Sequence, residues 1–338
     1  MDSLTQIVLG AAVGEIALGK KIGNKALLFG AIGGTIPDLD VFFGKLFYNN
    51  SIDELIFHRG FMHSIPFAII GAFLFGYLTF WLYDTGKRKN TTTRKDWIWL
   101  YFLSIFTHPL LDSFTPYGTQ LFLPFSDYRV AFNTIAVVDP LYTIPFLISL
   151  IILMFFKRSN PKRTWWLKTG GYVSSFYLLL TIINKIYIDS VFKGALSKAK
   201  IEYKRYSAQP TILNNVLWYA IAETDLDYKV TFYSLLDTHK PTSFISLPKN
   251  HDLLPMHNPD LEKLEWFSND FYNLQKTDSS FIRYNDLRYP LLNPEDKNSS
   301  VFSFKVKKNG NRWEALPLYD RAPSQEDFQK FWLRVSGI

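Results

Sequence analysis

The 338-residue chain contains no cysteine. That excludes disulfide staples, a thiolate zinc ribbon, an iron–sulfur centre and a thiol nucleophile, so any metal must be held by histidine, carboxylate or amide groups. Histidine is scarce, with six in the whole chain. There is no nucleotide-binding glycine motif, internal repeat or low-complexity tract. A basic leader is missing as well: Met1-Asp2 is acidic where a secretory signal would be basic, and Lys20-Lys21 follows the first apolar run. That first segment is expected to stay in the mature protein.

Charge is absent from residues 64–83, twenty in a row. As a helix such a stretch crosses about 30 Å of hydrocarbon. Shorter apolar runs cover 97–111, 140–156 and 169–184, while 7–19 includes Glu15 and 26–43 includes Asp38 and Asp40. Small residues at Gly10, Ala11, Gly14, Gly30, Gly33 and Gly34 suit close helix contact inside a membrane. The near-zero mean hydropathy therefore averages two unlike halves. The expected fold is an α-helical membrane bundle of about six helices, residues 1–188, followed by a water-soluble α+β domain, residues 189–338. In the second half strands are expected at 216–222, 230–236, 280–284 and 301–306, with helices near 189–199, 260–273 and 324–335.

The formal charge of +7 and pI near 9.2 could suggest nucleic acid. However, thirteen of the 37 Lys and Arg residues fall in three connections, at 20–25, 87–95 and 157–168, where the positive-inside rule accounts for them. Nucleic acid is thus not expected as a partner, and membrane lipids are. These connections should be cytoplasmic. The alternate ones, 44–63 and 112–139, carry only Lys45, Arg59 and Arg129 and should face outward, as should both termini and the C-terminal domain.

Ionisable groups at membrane depth are costly and call for a partner or a function. Here they cluster at helix ends: Asp38 and Asp40 after Pro37, His58, Arg59 and His63 before the third run, His108 and Asp112 at the end of the fourth, and Asp139 before the fifth. Given the topology, all of these ends lie on one face, together with Asp2 and Gln6. Asp38 and Asp40 would diverge by about 200° on a regular helix, so shared ligation needs a turn at Pro37. His58 and His63 do not share a helical face. A loop before the helix would let both turn inward, and the alternative is a hydrogen-bonded role at the interface. His108 and Asp112, four apart, stack one turn from each other, the spacing of a paired metal motif, although Pro109 weakens the helix between them. Arg59 suits a phosphate or developing negative charge, or an ion pair with an aspartate. Glu15 lies too far down the first helix to join the group and should pair within the bundle.

The runs Met1-Asp2-Ser3-Leu4-Thr5-Gln6, Gly33 to Asp40 (GGTIPDLD), His58-Arg59-Gly60 to His63-Ser64, and His108 to Asp112 (HPLLD) with Tyr117-Gly118-Thr119 carry a family likeness. In them the membrane half, about residues 1–156, resembles the bacterial membrane-bound metal-dependent hydrolases of the YdjM-like group, once a domain of unknown function. The resemblance implies a membrane enzyme with a divalent metal, and a more distant likeness to zinc-dependent phospholipase C suggests phosphoester cleavage. Many relatives have His where this chain has Gln6, whose amide is a poorer zinc ligand.

The expectation is a hydrolase of the bacterial inner membrane, cleaving a lipid-linked or membrane-proximal phosphoester at the outer face. One or two ions, with zinc the first choice, would be held by Asp38, Asp40, His58, His63, His108 and Asp112. Asp40, His63 and Arg59 are the catalytic candidates. Arg59 and Arg129 would hold the substrate anion, and Asp2, Gln6, Asp127 and Asp139 would stand behind the ligands. A metal-ion or solute transporter is the alternative and predicts polar groups through the bilayer thickness. A scaffold or receptor with a structural metal is another, in which Trp218, Trp266, Trp313 and Trp332 would belong to a binding surface. His239, His251 and His257 are read as loop residues outside the site.

Overall fold

The structure, a computed structural model, describes residues 1–277, 280–291, 299–318 and 324–338. It divides into two compact units, Met1–Phe43 with Phe57–Ile182, and Gly44–Ile56 with Ile183–Ile338.

The first unit is helical. Helices α1 (Ser3–Ile22) and α2 (Asn24–Thr35) are joined at Gly23, whose φ of +61° suits a residue without a Cβ. They pack backbone to backbone: a Cβ on Gly10 would strike the Gly30 carbonyl oxygen, and one on Gly14 the Ala26 carbonyl oxygen. The glycines four apart on each helix make this approach possible. Pro37–Leu39 then forms a single 3-10 turn, and α3 (Asp40–Phe47) leaves α2 at a bend of 44°. After the 44–56 segment, which belongs to the second unit and holds most of helix α4 (Ser51–Phe57), a 3-10 turn at Phe61–His63 leads into α5 (Ile65–Tyr83), which Ser64 caps by accepting from the Phe67 amide. Helix α6 (Arg94–Asp112) starts at a Thr93/Asp96 capping box and continues through Pro109, and α7 (Pro140–Met154) starts at the Asp139 cap. Helix α8 (Pro161–Lys198) is the longest, at 38 residues.

Among the described residues, α5 and α8 are long and apolar enough to cross a membrane, and the bent pair Asn24–Thr35 with Pro37–Phe47 would make a third span. The outward faces of α5 and α8 carry Ile70, Leu74, Trp81, Tyr172, Phe176 and Ile186, all exposed. The inward core gathers Leu18, Ala26, Ala72, Trp97, Leu100 and Ile105. Glu15 does pair within this bundle, receiving both Nε and Nη2 of Arg163 at 2.6 Å, while Nη1 of the same guanidinium donates to Asn24 Oδ1 at 2.7 Å.

The second unit contains two antiparallel four-stranded sheets in sequential order. The first comprises β1 (Arg205–Pro210), β2 (Leu217–Glu223), β3 (Asp227–Ser234) and β4 (Ile245–Pro248), and the second β5 (Tyr272–Lys276), β6 (Ile282–Asp286), β7 (Ser303–Asn309) and β8 (Arg312–Pro317). Strand β2 is buried on both faces. Leu217, Tyr219 and Ile221 join one core, and Trp218 and Ala220 the other, with Ile188, Val191 and Phe192 from the end of α8. The Trp218 side chain is thus a core element. Helices α9 (Pro259–Phe267) and α10 (Gln325–Val335) complete the α+β architecture. Asn50 donates to the Trp313 carbonyl at 2.8 Å and Asp53 accepts from Arg312 at 2.8 Å, which ties the 44–56 segment to β8.

Candidate metal centre

Three backbone features bring the site together. The turn at Pro37 releases Asp38 from the α2 helix. The Phe61–His63 turn sets His63 just ahead of the α5 cap. On α6, the four-residue spacing stacks His108 above Asp112. Asp38, His63 and His108 each offer a donor atom, and these atoms lie within 4.8 Å of one another. His63 Nε2 is 3.5 Å and His108 Nε2 3.4 Å from Asp38 Oδ1. Asp112 approaches the same two nitrogens, its Oδ2 lying 3.6 Å from His63 and 3.5 Å from His108.

Both Nε2 atoms and Asp112 Oδ2 are buried without a hydrogen-bond partner. Unpaired buried polar atoms cost about 1–3 kcal/mol each, so the two imidazole nitrogens facing one point ask for a ligand, while Asp112 Oδ2 already has the Arg59 guanidinium beside it. The spacing suits a cation. Four donors arranged tetrahedrally at about 2.0–2.2 Å from zinc stand about 3.3–3.6 Å apart, which matches the separations just given. The residues therefore fit a divalent metal, with two imidazoles and carboxylate oxygen as donors.

Around this cluster a ring of residues fixes the donors. Asp40 is buried, with Oδ1 2.8 Å from His58 Nδ1 and Oδ2 both accepting from the Arg59 amide at 2.9 Å and lying 3.0 Å from His63 Nδ1. Its two oxygens are thus turned to the far side of His63, in the position of a carboxylate that orients a ligating imidazole. The Arg59 backbone is left-handed, at φ +60°, which is uncommon for a residue with a side chain. His108 is held by the Gly34 carbonyl, 2.6 Å from its Nδ1, which leaves Nε2 directed into the cluster. Asp112 Oδ1 receives Gln6 Nε2 at 2.9 Å and the Met1 amine, and Arg59 Nε stands 3.2 Å from Oδ2.

The remaining sequence candidates separate from the cluster in different ways. His58 reaches it only through Asp40 and through edge contact with the His63 ring, centroids 5.7 Å apart. Burial pushes the His58 imidazole below its ordinary pKa, against the raising influence of Asp40. Arg59 is 4% exposed and is directed to Asp112 and to Thr115 Oγ1 at 3.1 Å, with Tyr117 stacked on its guanidinium at 4.5 Å. Arg129 stacks on the same Tyr117 ring at 5.1 Å and donates to the Tyr117 carbonyl. Gln6 stands behind Asp112, whereas Asp2 caps α1 at Thr5, Asp139 caps α7 and accepts from Tyr177 at 2.9 Å, and Asp127 is an exposed loop residue. Of the histidines expected in loops, His251 instead opens a 3-10 turn, His251–Leu253, and lies face to face with Tyr272. Thr115 was not singled out by the sequence reading. The signal for it is weak, a hydroxyl three residues past Asp112 that donates to the Asp112 carbonyl at 2.7 Å.

A protein of Bacillus subtilis (strain 168) described as "Uncharacterized protein YfhP" is 30% identical over 198 residues, which are 55% of this chain and 57% of that protein, so the chain spans little more than half of this relative. No solved structure matches. The family model for the YdjM inner membrane protein matches residues 1–188, the stretch that contains every donor of the cluster, and the chain belongs to that family.

Proposed function

We propose that the chain is a multi-pass metal-dependent hydrolase of the inner membrane that cleaves a lipid-linked or membrane-proximal phosphoester at the outer face. The observation that carries this reading is the pair of buried, unpartnered Nε2 atoms of His63 and His108 facing Asp38 and Asp112 at 3.4–3.6 Å. A divalent ion there, zinc on the donor chemistry, would supply Lewis-acid polarisation of a phosphoryl oxygen and a water acidified toward neutrality.

The side chains of the protein do the rest. Asp38, at 28% exposed the most open of the donors, would be the carboxylate that an incoming water meets first. His58 is 26% exposed and uses Nδ1 on Asp40, and with burial lowering its pKa its Nε2 is the unprotonated nitrogen, which would take the proton of an incoming water. Arg59 holds Asp112 and so fixes the floor of the site. The substrate anion then meets a partly open edge formed by Asp38 and His58. Asp40 and His58 lie outside the donor cluster, which favours one ion over two.

The donors all sit at helix ends that the basic connections assign to the outer side, which supports lipid headgroups as the substrate source. The transporter alternative predicts polar groups through the bilayer thickness, and the closure of Glu15 in a two-pronged pair with Arg163 favours the enzyme over it. The test is turnover by the full chain, reconstituted in vesicles of phosphatidylethanolamine and phosphatidylglycerol and loaded with zinc. Release of headgroup or phosphate that is lost in Asp38→Asn and His63→Ala is expected. Equal release by wild type and both variants, or none across diester and monoester substrates, would reject the activity.

A further inference from the structure

We propose that the loop of residues 121–132, with Phe61 beside it, is inserted in the bilayer and seats the donor end of the helical unit in the lipid headgroup region. The inference rests on the chain spanning the membrane and is independent of the hydrolase reading.

The loop starts at the end of a membrane-length helix. The Ile65 amide, the first of α5, donates to the Leu121 carbonyl at 2.9 Å. Helix α5 has 19 residues, about 28 Å of rise and close to the thickness of the hydrocarbon layer, so its first amide marks the boundary of that layer. Phe122 follows that contact directly. The base of the loop is closed by the Thr119–Val130 pair, with bonds of 3.1 and 2.9 Å, and its tip by Phe125 and Ser126 amides donating to the Phe122 carbonyl at 2.8 and 3.2 Å.

A loop so closed presents its large apolar side chains outward. Phe125 is 86% exposed, Tyr128 67% and Phe122 46%. Phe61 is also exposed, and its ring meets that of Phe67, in the first turn of α5, with centroids 5.8 Å apart. Aromatic side chains concentrated at one end of a spanning helix are the pattern of the interfacial belt, where the ring sits among headgroups and ester groups. In water the same cluster would be an exposed apolar patch with nothing to cover it. Lipid is the occupant this placement selects, because the loop is hydrogen-bonded to the first residue of a helix whose outward side chains already require it. His63 lies two residues before Ile65, so the donors occupy the same depth, within reach of headgroups in that leaflet.

The absence of cysteine makes the test direct. Phe125→Cys carries a single nitroxide in the full chain, reconstituted in phosphatidylethanolamine and phosphatidylglycerol vesicles. Asp225→Cys, at a side chain 81% exposed in the aqueous domain, is the reference. Collision with oxygen, which concentrates in lipid, and with a water-soluble nickel chelate is read at both positions. The expected result at 125 is a nickel collision rate several-fold below that at 225 with oxygen collision raised. High nickel collision at 125 places the loop in water, and low collision with both agents places it against protein, and either overturns the proposal. If Phe125→Cys fails to fold, Tyr128→Cys gives the same reading. Because no turnover enters the measurement, loss of the hydrolase reading would leave this result standing.

Discussion

The position of Asp40 yields a graded prediction. Its carboxylate meets three groups, His58 Nδ1, the Arg59 amide and His63 Nδ1, at 2.8, 2.9 and 3.0 Å, and none of its atoms belongs to the donor cluster. Asp40→Ala therefore leaves His63 in place and removes what fixes its ring. Loss of a carboxylate behind a ligating imidazole lowers metal affinity about 10–100-fold, or about 1.4–2.8 kcal/mol. The orphaned Arg59 amide adds a folding cost of about 1–3 kcal/mol. Asp40→Asn keeps one oxygen and loses the charge, so its affinity should fall toward the tenfold end. His58→Ala acts on the donors through Asp40 and through the edge contact with the His63 ring, without removing a donor, and should cost less than tenfold. By contrast, Asp38→Ala and His63→Ala should abolish stoichiometric binding. Competition against a chromophoric chelator in detergent gives the affinities, and the thermal midpoint of the metal-free protein gives the folding cost separately. Asp40→Ala binding as tightly as wild type, or failing as completely as His63→Ala, would refute the orienting role, and so would His58→Ala matching His63→Ala.

Arg163→Ala strands the buried Glu15 carboxylate and should destabilise the helical unit by about 3–5 kcal/mol, whereas replacing both residues by leucine should recover most of that loss, as read from unfolding midpoints in detergent. Gly14→Leu places a side chain on the Ala26 carbonyl and should separate α1 from α2, lowering the thermal midpoint far more than Gly171→Leu, where a Cβ meets nothing. In the second unit, burial works to raise the pKa values of Asp53 and Asp260. The bonds from Arg312, and from Lys263 to Asp53, outweigh it and hold both carboxylates below their ordinary range. Stability from depressed carboxylates is complete above the unfolded value near 4 and is lost as pH falls through the folded values. The advantage of wild type over Arg312→Gln should thus shrink between pH 7 and pH 3. A difference that stays constant over that range would show that the bonds carry no charge-dependent stability.

Much of the helical half is legible because the bilayer imposes simple requirements. The uncharged run at 64–83 becomes α5, and the 97–111 and 140–156 runs lie in or along α6 and α7. The 26–43 run is divided because Pro37 turns the chain and two aspartates need polar surroundings. In the aqueous half the apolar strands β2, β3, β6 and β7 were visible, whereas β1, β4, β5 and β8 were not. Strand β1 reads RYSAQP, without alternation, and forms through its pairing with β2. Strand β5 overlaps the end of a helix expected to 273. The chain instead ends that helix at Phe267 and turns through Asn269 and Asp270, which adopt left-handed φ of +51° and +54°. Nothing local to 44–56 signals that Asn50 and Asp53 bond to residues more than 250 positions away.

In the site, spacing pointed to segments that the structure brings together at Asp38, His63 and His108, but it did not give the direction of each side chain. The pair Asp38 and Asp40 is symmetric in sequence. Only the 3-10 turn decides that the first faces the imidazoles and the second supports one from behind. Arg59 is likewise ambiguous until Thr115 and Asp112 are placed beside it.

The central claim is that two imidazoles and carboxylate oxygen converge on one cation. X-ray absorption of the zinc-loaded full chain counts those ligands directly. Two imidazoles, from His63 and His108, with the remaining contacts from oxygen at about 2.0–2.2 Å, are the predicted shell. A third imidazole would bring His58 into the ligand set, one or none would separate His63 from His108, and either result would contradict the account.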